Sequence, residues 1–281
     1  MLKFIEKNFR TPFRIFQKLL KIIQSITDKI ELLILDNRKK SEFKKLVSNL
    51  INKEYKFQEK IYVIGDSHTN FWSGSDKTVF LAFENDIETG QDFLPAFKTF
   101  HLGPALAYSL NKHDSASLGL KKTEYLIKSG IIPPNATVML CFGEIDCRVH
   151  VLKQAEIQNK SIENIIDEII QNYFEYIKYL QNSNINVVCW AVIASQNDSR
   201  VVHIEFPRYG SETERNIATE IFNRKLEEKC KDNNVIFCSI FNSLIDNCYK
   251  TKQEYYIDGC HLSQSAMKLA IKELISKEVL K

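Results

Sequence analysis

The sequence lacks several features that would have fixed its class at once. It has no pair of cysteines at C-x-x-C spacing and no Cys/His cluster in sequence, so nothing in the chain reads as a structural zinc site. Its seven cysteines are odd in number and lie between Cys141 and Cys260 without short paired spacing. They do not form a disulfide framework, and reduced buried thiols in a cytoplasmic protein are expected instead. No run of about 18 apolar residues occurs, so no segment is expected to span a membrane. The N-terminus lacks a secretory signal, because Arg10, Arg14, Lys18 and Lys21 interrupt any apolar stretch and no small-residue cleavage site follows. Repeats and low-complexity segments are also missing.

What is present is ordinary in bulk and uneven in charge. The chain has 281 residues, enough for one sizeable core, with 44% hydrophobic and 26% charged residues. The net charge of +3 conceals an asymmetry. Residues 1–60 carry 15 Lys/Arg against 7 Asp/Glu, a net of +8, whereas the remainder carries 23 against 28, a net of −5. Within residues 8–35, Phe9, Phe13, Phe16, Leu20, Ile23, Ile30 and Leu33 recur at helical spacing beside the basic stripe of Arg10, Arg14, Lys18 and Lys21. Residues 1–55 are therefore expected to be a basic amphipathic helical extension. Two readings of it stand side by side: contact with an anionic membrane surface, at the inner face for a cytoplasmic protein, or packing on its own domain or on a second subunit. No nucleic-acid partner is expected.

Beyond residue 55 the chain alternates between short apolar strands and helices. Strands are expected at Ile61–Ile64, Thr78–Phe83, Thr137–Phe142, Asn186–Ala194 and Val235–Ile240. Helices are expected at Leu102–Asn111, Ala116–Lys128, Ser161–Gln181, Ser211–Asp232 and Ser263–Lys281. This order implies an α/β domain with a mostly parallel sheet covered on both faces, over residues 56–281. Such sheets bind ligands at the carboxyl ends of their strands.

Three strand ends carry chemistry. Ile64-Gly65-Asp66-Ser67-His68 puts a serine on a tight strand-to-helix turn, where free N–H groups can stabilise an oxyanion. By itself Gly-Asp-Ser is also an ordinary turn. Ile257-Asp258-Gly259-Cys260-His261 precedes the last helix. Serine needs a base within hydrogen-bond reach, histidine suits that role, and a carboxylate must fix the imidazole tautomer. Asp258 and His261 can supply both from one loop, although a helix N-terminus with an exposed histidine would look the same. Cys141-Phe142-Gly143-Glu144-Ile145-Asp146-Cys147-Arg148 brings polar groups to the same edge. There Arg148 can hold a substrate anion or simply pair with Asp146. The polar loop Gln196–Glu214, with Arg200, His203, Arg208 and Tyr209, is a further candidate for substrate contact.

Together these blocks resemble the SGNH/GDSL hydrolase family, in order and spacing, over roughly residues 58–281. Gly65-Asp66-Ser67 matches the first block, with His68 where leucine often stands. Gly143-Glu144-Ile145-Asp146 falls on the third block, Gly-x-Asn-Asp, and Asp258-Gly259-Cys260-His261 matches the fifth, Asp-x-x-His. The resemblance implies a three-layer α/β/α, flavodoxin-like fold with five parallel strands. It implies a serine esterase or acyl-transfer enzyme without cofactor or metal, with Ser67, His261 and Asp258 as its triad. The oxyanion glycine of the second block is assigned to Gly103 in His101-Leu102-Gly103-Pro104, on the ground that its N–H opens the expected helix. Gly143, Asp146, Arg148 and His101 complete the oxyanion and substrate-binding candidates. One departure stands out: the family's oxyanion asparagine falls on Ile145, whose side chain donates nothing. The Gly-Glu-Ile-Asp-Cys-Arg variant is similar to members associated with bacterial surface-polysaccharide loci, which implies an O-acyl, acetylated carbohydrate as substrate.

Two alternatives remain open on sequence alone. Asp66-Ser67-His68 also looks like the metal-binding Asp-x-His of metallophosphoesterases, though the Gly-Asn-His block of that family is missing. A non-catalytic glycan-binding module on the same fold is compatible with Ile145.

Overall fold

In the computed structural model, the described residues are 37–52, 54, 60–74, 81–83, 87–90, 92–199 and 207–281. The amphipathic stripe expected within residues 8–35 lies outside them, as do Arg200 and His203. Two compact units divide the chain, Met1–Lys45 and Leu46–Lys281. The described helices begin with α1 (residues 37–51), where Phe43 and Val47 are buried, and include α3 (Gly119–Lys128), α4 (Val151–Gln158) and α7 (Phe241–Leu244).

The second unit is organised by seven strands: β1 (Ile61–Gly65), β2 (Leu81–Phe83), β3 (Ile87–Thr89), β4 (Phe97–His101), β5 (Thr137–Cys141), β6 (Asn186–Trp190) and β7 (Ile236–Cys238). They form one sheet in the order β2-β3-β4-β1-β5-β6-β7. Strands β4, β1, β5, β6 and β7 run parallel, while β2 and β3 pair antiparallel at one edge. The five parallel strands thus have the flavodoxin-like order, starting from the middle and winding to both sides. The parallel strands number five as expected, but not the expected five: within the strand expected at Thr78–Phe83, Leu81–Phe83 form antiparallel β2, and β4 takes the parallel place beside β1.

Side chains alternate across the pleat, and both faces are buried. Ile64, Phe100, Leu140 and Cys189 sit in register on one face. They join one core with α5 (Ile162–Asn182), whose Ile166, Ile169, Tyr173, Tyr176, Ile177 and Leu180 recur at helical spacing. On the other face, Trp72 meets Trp190 edge-on at 4.8 Å and Phe97 at 4.9 Å. Caps set the helix starts as the sequence suggests. Ser161 Oγ accepts from Asn164 N–H to begin α5. Ser211 and Glu214 form a reciprocal capping box that begins α6 (Glu212–Asp232). The closing helix, α8, is shorter than expected, Met267–Ser276, and follows a 3-10 turn at Gln264–Ala266.

Two expectations fail together. No strand was read at β4, because Lys98 and Thr99 interrupt its apolar run; Lys98 Nζ reaches Asp92 Oδ2 at 2.7 Å and so keeps its charge satisfied. Leu102–Asn111 is not a helix. Its apolar residues have helical spacing, yet Leu102, Ala105, Ala107 and Leu110 are buried from a loop that holds only a 3-10 turn, Ala107–Ser109. Pro104 lacks an N–H for helical bonding. The Asp146 carboxylate supplies the acceptors that a helix would have supplied, taking Ala107 N–H at 2.8 Å and Tyr108 N–H at 3.3 Å.

Candidate active site

The serine sits where β1 ends. Gly65 pairs with Cys141, and a side chain at Gly65 would run into the Cys141 carbonyl, so only glycine lets these strand ends close up. Asp66 then turns the chain, its Oδ1 accepting His68 N–H at 2.9 Å, and Ser67–Thr69 form a single 3-10 turn leading into α2 (Asn70–Ser73). Ser67 Oγ is thereby presented at the carboxyl edge of the sheet.

Its partner comes from far along the chain. Tyr256 and Leu262 bridge antiparallel, and Ile257 N–H donates to the His261 carbonyl at 2.9 Å, closing a tight loop over Asp258–Cys260. Gly259, at φ +88°, makes the turn. Asp258 Oδ1 accepts the N–H groups of Cys260 and His261, each at 2.9 Å. Asp258 Oδ2 lies 2.7 Å from His261 Nδ1, and His261 Nε2 lies 2.8 Å from Ser67 Oγ. Burial would raise the Asp258 pKa, but the hydrogen bond and charge of His261 outweigh it and hold the carboxyl well below its usual range. An ionised Asp258 accepts from Nδ1–H, which leaves Nε2 to accept the serine proton.

A second group of charges lies directly behind this chain. Glu144 accepts both Nε contacts of Arg148, at 2.8 and 3.1 Å, and its Oε2 is 3.3 Å from His68 Nε2. The His68 and His261 rings stand 4.8 Å apart. Burial opposes the Glu144 charge, yet Arg148 and His68 prevail and hold its pKa down to about 2. His68 is opposed by burial too, but Asp66, Cys260 and Glu144 raise its pKa well above the ordinary histidine value. His68, Glu144 and Arg148 therefore form a charged triplet at neutral pH, with Glu144 and Arg148 buried and His68 partly so.

The remaining sequence candidates divide between cleft and scaffold. Gly103 lies in a loop at φ +89°, not at a helix start as expected, held next to β1 by Leu102 N–H donating to the Gly65 carbonyl at 2.9 Å. Among the described residues, neither Gly103 N–H nor Ser67 N–H is taken by a backbone acceptor. Gly143, at φ +106°, is required by its backbone and by Val192 and Phe222, which crowd the place of a Cβ. His101 Nδ1 is 2.7 Å from Glu88 Oε2 at the end of β4.

Asp146 and Arg148 require correction as substrate-contact candidates. Asp146 is fully buried and bound to the 107–108 backbone, and burial raises its pKa to about 7 despite those N–H groups. It does not pair with Arg148, which is 5% exposed, engages Glu144 and donates to the Pro207 carbonyl. The loop candidates are tied down as well: Arg208 donates to the carbonyls of Asn197 and Asp198, and Tyr209 donates to Glu156. Sequence reading missed the Glu144–Arg148 pair, although its i, i+4 spacing was a usable signal.

A small apolar cavity of about 20 Å³ is lined by His68, Leu262, Phe71, Trp72, Trp190 and Val192 among others; Ser67, Asp258 and His261 do not line it. For metal binding, His68, Cys260 and His261 each bring one ligand atom within 4.8 Å of the others. Of the Asp66-Ser67-His68 segment in the metallophosphoesterase reading, Asp66 spends Oδ1 on His68 N–H and His68 Nε2 faces Glu144.

A parallel α/β sheet whose carboxyl edge joins serine, histidine and aspartate in one hydrogen-bonded chain has the architecture of the serine hydrolases. The family model of GDSL-like lipases and acylhydrolases matches residues 61–274, and the chain belongs to that family, a serine ester hydrolase. Similar solved structures include a GDSL-like lipase from Bacteroides thetaiotaomicron, at 13% identity and TM-score 0.46, covering 84% of this chain and 98% of that one. A catalytic mutant of an acetylxylan esterase from Geobacillus stearothermophilus is 12% identical at TM-score 0.45, covering 78% and 94%. A search of curated proteins finds no match. The family assignment displaces the metallophosphoesterase alternative.

Proposed function

We propose that the protein removes or transfers a short acyl group, acetyl, carried as an ester on a carbohydrate, with Ser67 as nucleophile. The observation that carries this reading is the unbroken chain Ser67 Oγ–His261 Nε2–Asp258 Oδ2, at 2.8 and 2.7 Å. His261 takes the Ser67 proton as Oγ attacks the ester carbon, then returns it to the leaving alcohol; Asp258 orients the ring and stabilises the imidazolium. The N–H groups of Ser67 and Gly103 receive the developing oxyanion. Water, or a second alcohol, then takes the acyl group by the same route.

One observation favours an acyl group on a sugar. The variant block Gly143-Glu144-Ile145-Asp146-Cys147-Arg148 carries the resemblance to polysaccharide-associated members. Rates on p-nitrophenyl acetate, butyrate and octanoate, with acetate release from O-acetylated oligosaccharides, test the reading. It expects kcat/KM to fall steeply with chain length and acetate to be freed by wild type but not by Ser67→Ala. A preference for octanoate, or equal acetate release by Ser67→Ala, rejects it.

A further inference from the structure

The spacing of cysteine and histidine along the chain gives no hint of a metal site, because the ligands come from its two ends. Folding brings His68 from the first strand end against Cys260 and His261 from the last loop. One ligand atom from each of the three falls within 4.8 Å of the others, and all three residues are only partly buried, open enough for an ion to enter. We propose that His68, Cys260 and His261 form a site for Zn²⁺ that switches the enzyme off by occupying its base; the inhibitory half rests on His261 being that base.

The chemistry of the donors selects the ion. Once His68 and Cys260 give up a proton to solvent on binding, two imidazoles and a thiolate make a borderline-soft set suited to zinc, with a fourth position left for water. Bonds of about 2.0–2.1 Å to nitrogen and about 2.3 Å to sulfur set tetrahedral ligands roughly 3.3–3.8 Å apart, so closing from 4.8 Å needs side-chain movement on the order of 1 Å. The surroundings are arranged for it. Glu144 Oε2 is 3.3 Å from His68 Nε2, and its Oε1 is 3.8 Å from Cys260 Sγ. In the metal-bound form His68 still donates Nε2–H to the Glu144 carboxylate, which orients that ring and offsets the cation's charge, while the Cys260 proton now shared with Glu144 is released. Asp258 holds the loop from below through Cys260 N–H and His261 N–H. Binding forms three metal–ligand bonds, and each ligand that carries a proton at the bonding atom releases it to solvent. No electrons are transferred. His261 Nε2 cannot accept the Ser67 proton while it shares its lone pair with the metal.

Calorimetric titration of the full chain with Zn²⁺, after EDTA treatment and desalting, tests the site without relying on activity. Wild type and Ser67→Ala are expected to bind one equivalent equally well. Cys260→Ser and Cys260→Ala should bind at least about 10-fold more weakly, and Cys248→Ser, at the exposed cysteine elsewhere, should bind as wild type does. Replacing zinc with Co²⁺ should give a thiolate charge-transfer band that Cys260→Ser lacks. Ester hydrolysis, normalised for each protein to its own rate in EDTA, should fall on adding zinc to wild type at concentrations that leave Cys260→Ala untouched. Binding that is equal in wild type and Cys260→Ala, or a Co²⁺ spectrum without the thiolate band, overturns the site. One-equivalent binding through Cys260 with no loss of ester hydrolysis overturns the switch. Esterase inactivity of the metal-free wild type would refute the proposed catalysis and leave the calorimetric result standing.

Discussion

Two polar groups share the carboxyl edge of the sheet and are built in opposite ways. The Asp258–His261 loop is partly exposed: its aspartate side chain is 50% accessible, and its geometry is set by N–H groups of its own few residues. The Glu144–Arg148 segment is sealed: both side chains are 6% accessible, and their charges satisfy each other, His68 and the Pro207 carbonyl. A half-exposed carboxylate can serve a reacting histidine because water screens its charge and can replace a lost partner. A buried one is committed to the scaffold, because leaving its partners unpaired is costly. The two groups should therefore respond to mutation in opposite currencies, rate for one and stability for the other.

The sharpest break is expected in rate at the exposed loop. His261→Ala should lower kcat/KM on a short ester by about 10⁴–10⁶, and Asp258→Asn by about 10⁴, by analogy with other serine triads. Both should lower unfolding free energy less than Glu144→Gln does, because solvent reaches the Asp258 carboxylate. Steady-state kinetics and urea denaturation on the same preparations check the pair; a large stability loss with a small rate loss would merge the two regions. Glu144→Gln should do the reverse. It leaves the Arg148 and His68 charges buried without their carboxylate, and should destabilise by about 3–5 kcal/mol in urea.

The pH dependence of stability sharpens the same contrast. Glu144 titrates near 2 in the fold against an ordinary value of 4.5. Its contribution is thus complete above pH 4.5 and is lost as pH falls from 4.5 to about 2, on the order of 3 kcal/mol in all. Urea midpoints measured across that window should fall for wild type and fall less for Glu144→Gln. A smaller effect is expected at Ile145, which stands where the family has a donating asparagine. Ile145→Asn should raise kcat on a short ester by about 10-fold, up to about 10² if the amide reaches the oxyanion as the backbone donors do. An unchanged kcat would mean that the two N–H groups of Ser67 and Gly103 already saturate the hole.

Much of this was legible beforehand, and the reasons for the misses are specific. β1, β5 and β6 are apolar runs, and α5 and α6 carry serine caps, so local and global signals agree. β4 was hidden because sequence shows Lys98 as a charge but not the Asp92 that receives it. The 102–110 loop imitates a helix because burial from a loop can repeat at the same spacing; only the fold shows that Asp146 holds it. At the site, the segments that meet in the Ser67–His261–Asp258 hydrogen-bonded chain were legible because serine, histidine and aspartate stand at strand ends in the order such a chain needs. Asp146 and Arg148 were misread for the converse reason. Polarity at a strand end does not say whether a side chain faces the cleft or the interior, and here both face inward.

The central claim is that Ser67 is a nucleophile activated by His261, and a fluorophosphonate probe tests it most directly. Incubation with the full chain, followed by intact-mass and peptide mapping, should show one adduct, on Ser67, formed rapidly in wild type. The adduct should be absent in Ser67→Ala and formed far more slowly in His261→Ala. Labelling of Ser67→Ala at the wild-type rate, or of wild type at another residue, would contradict the account.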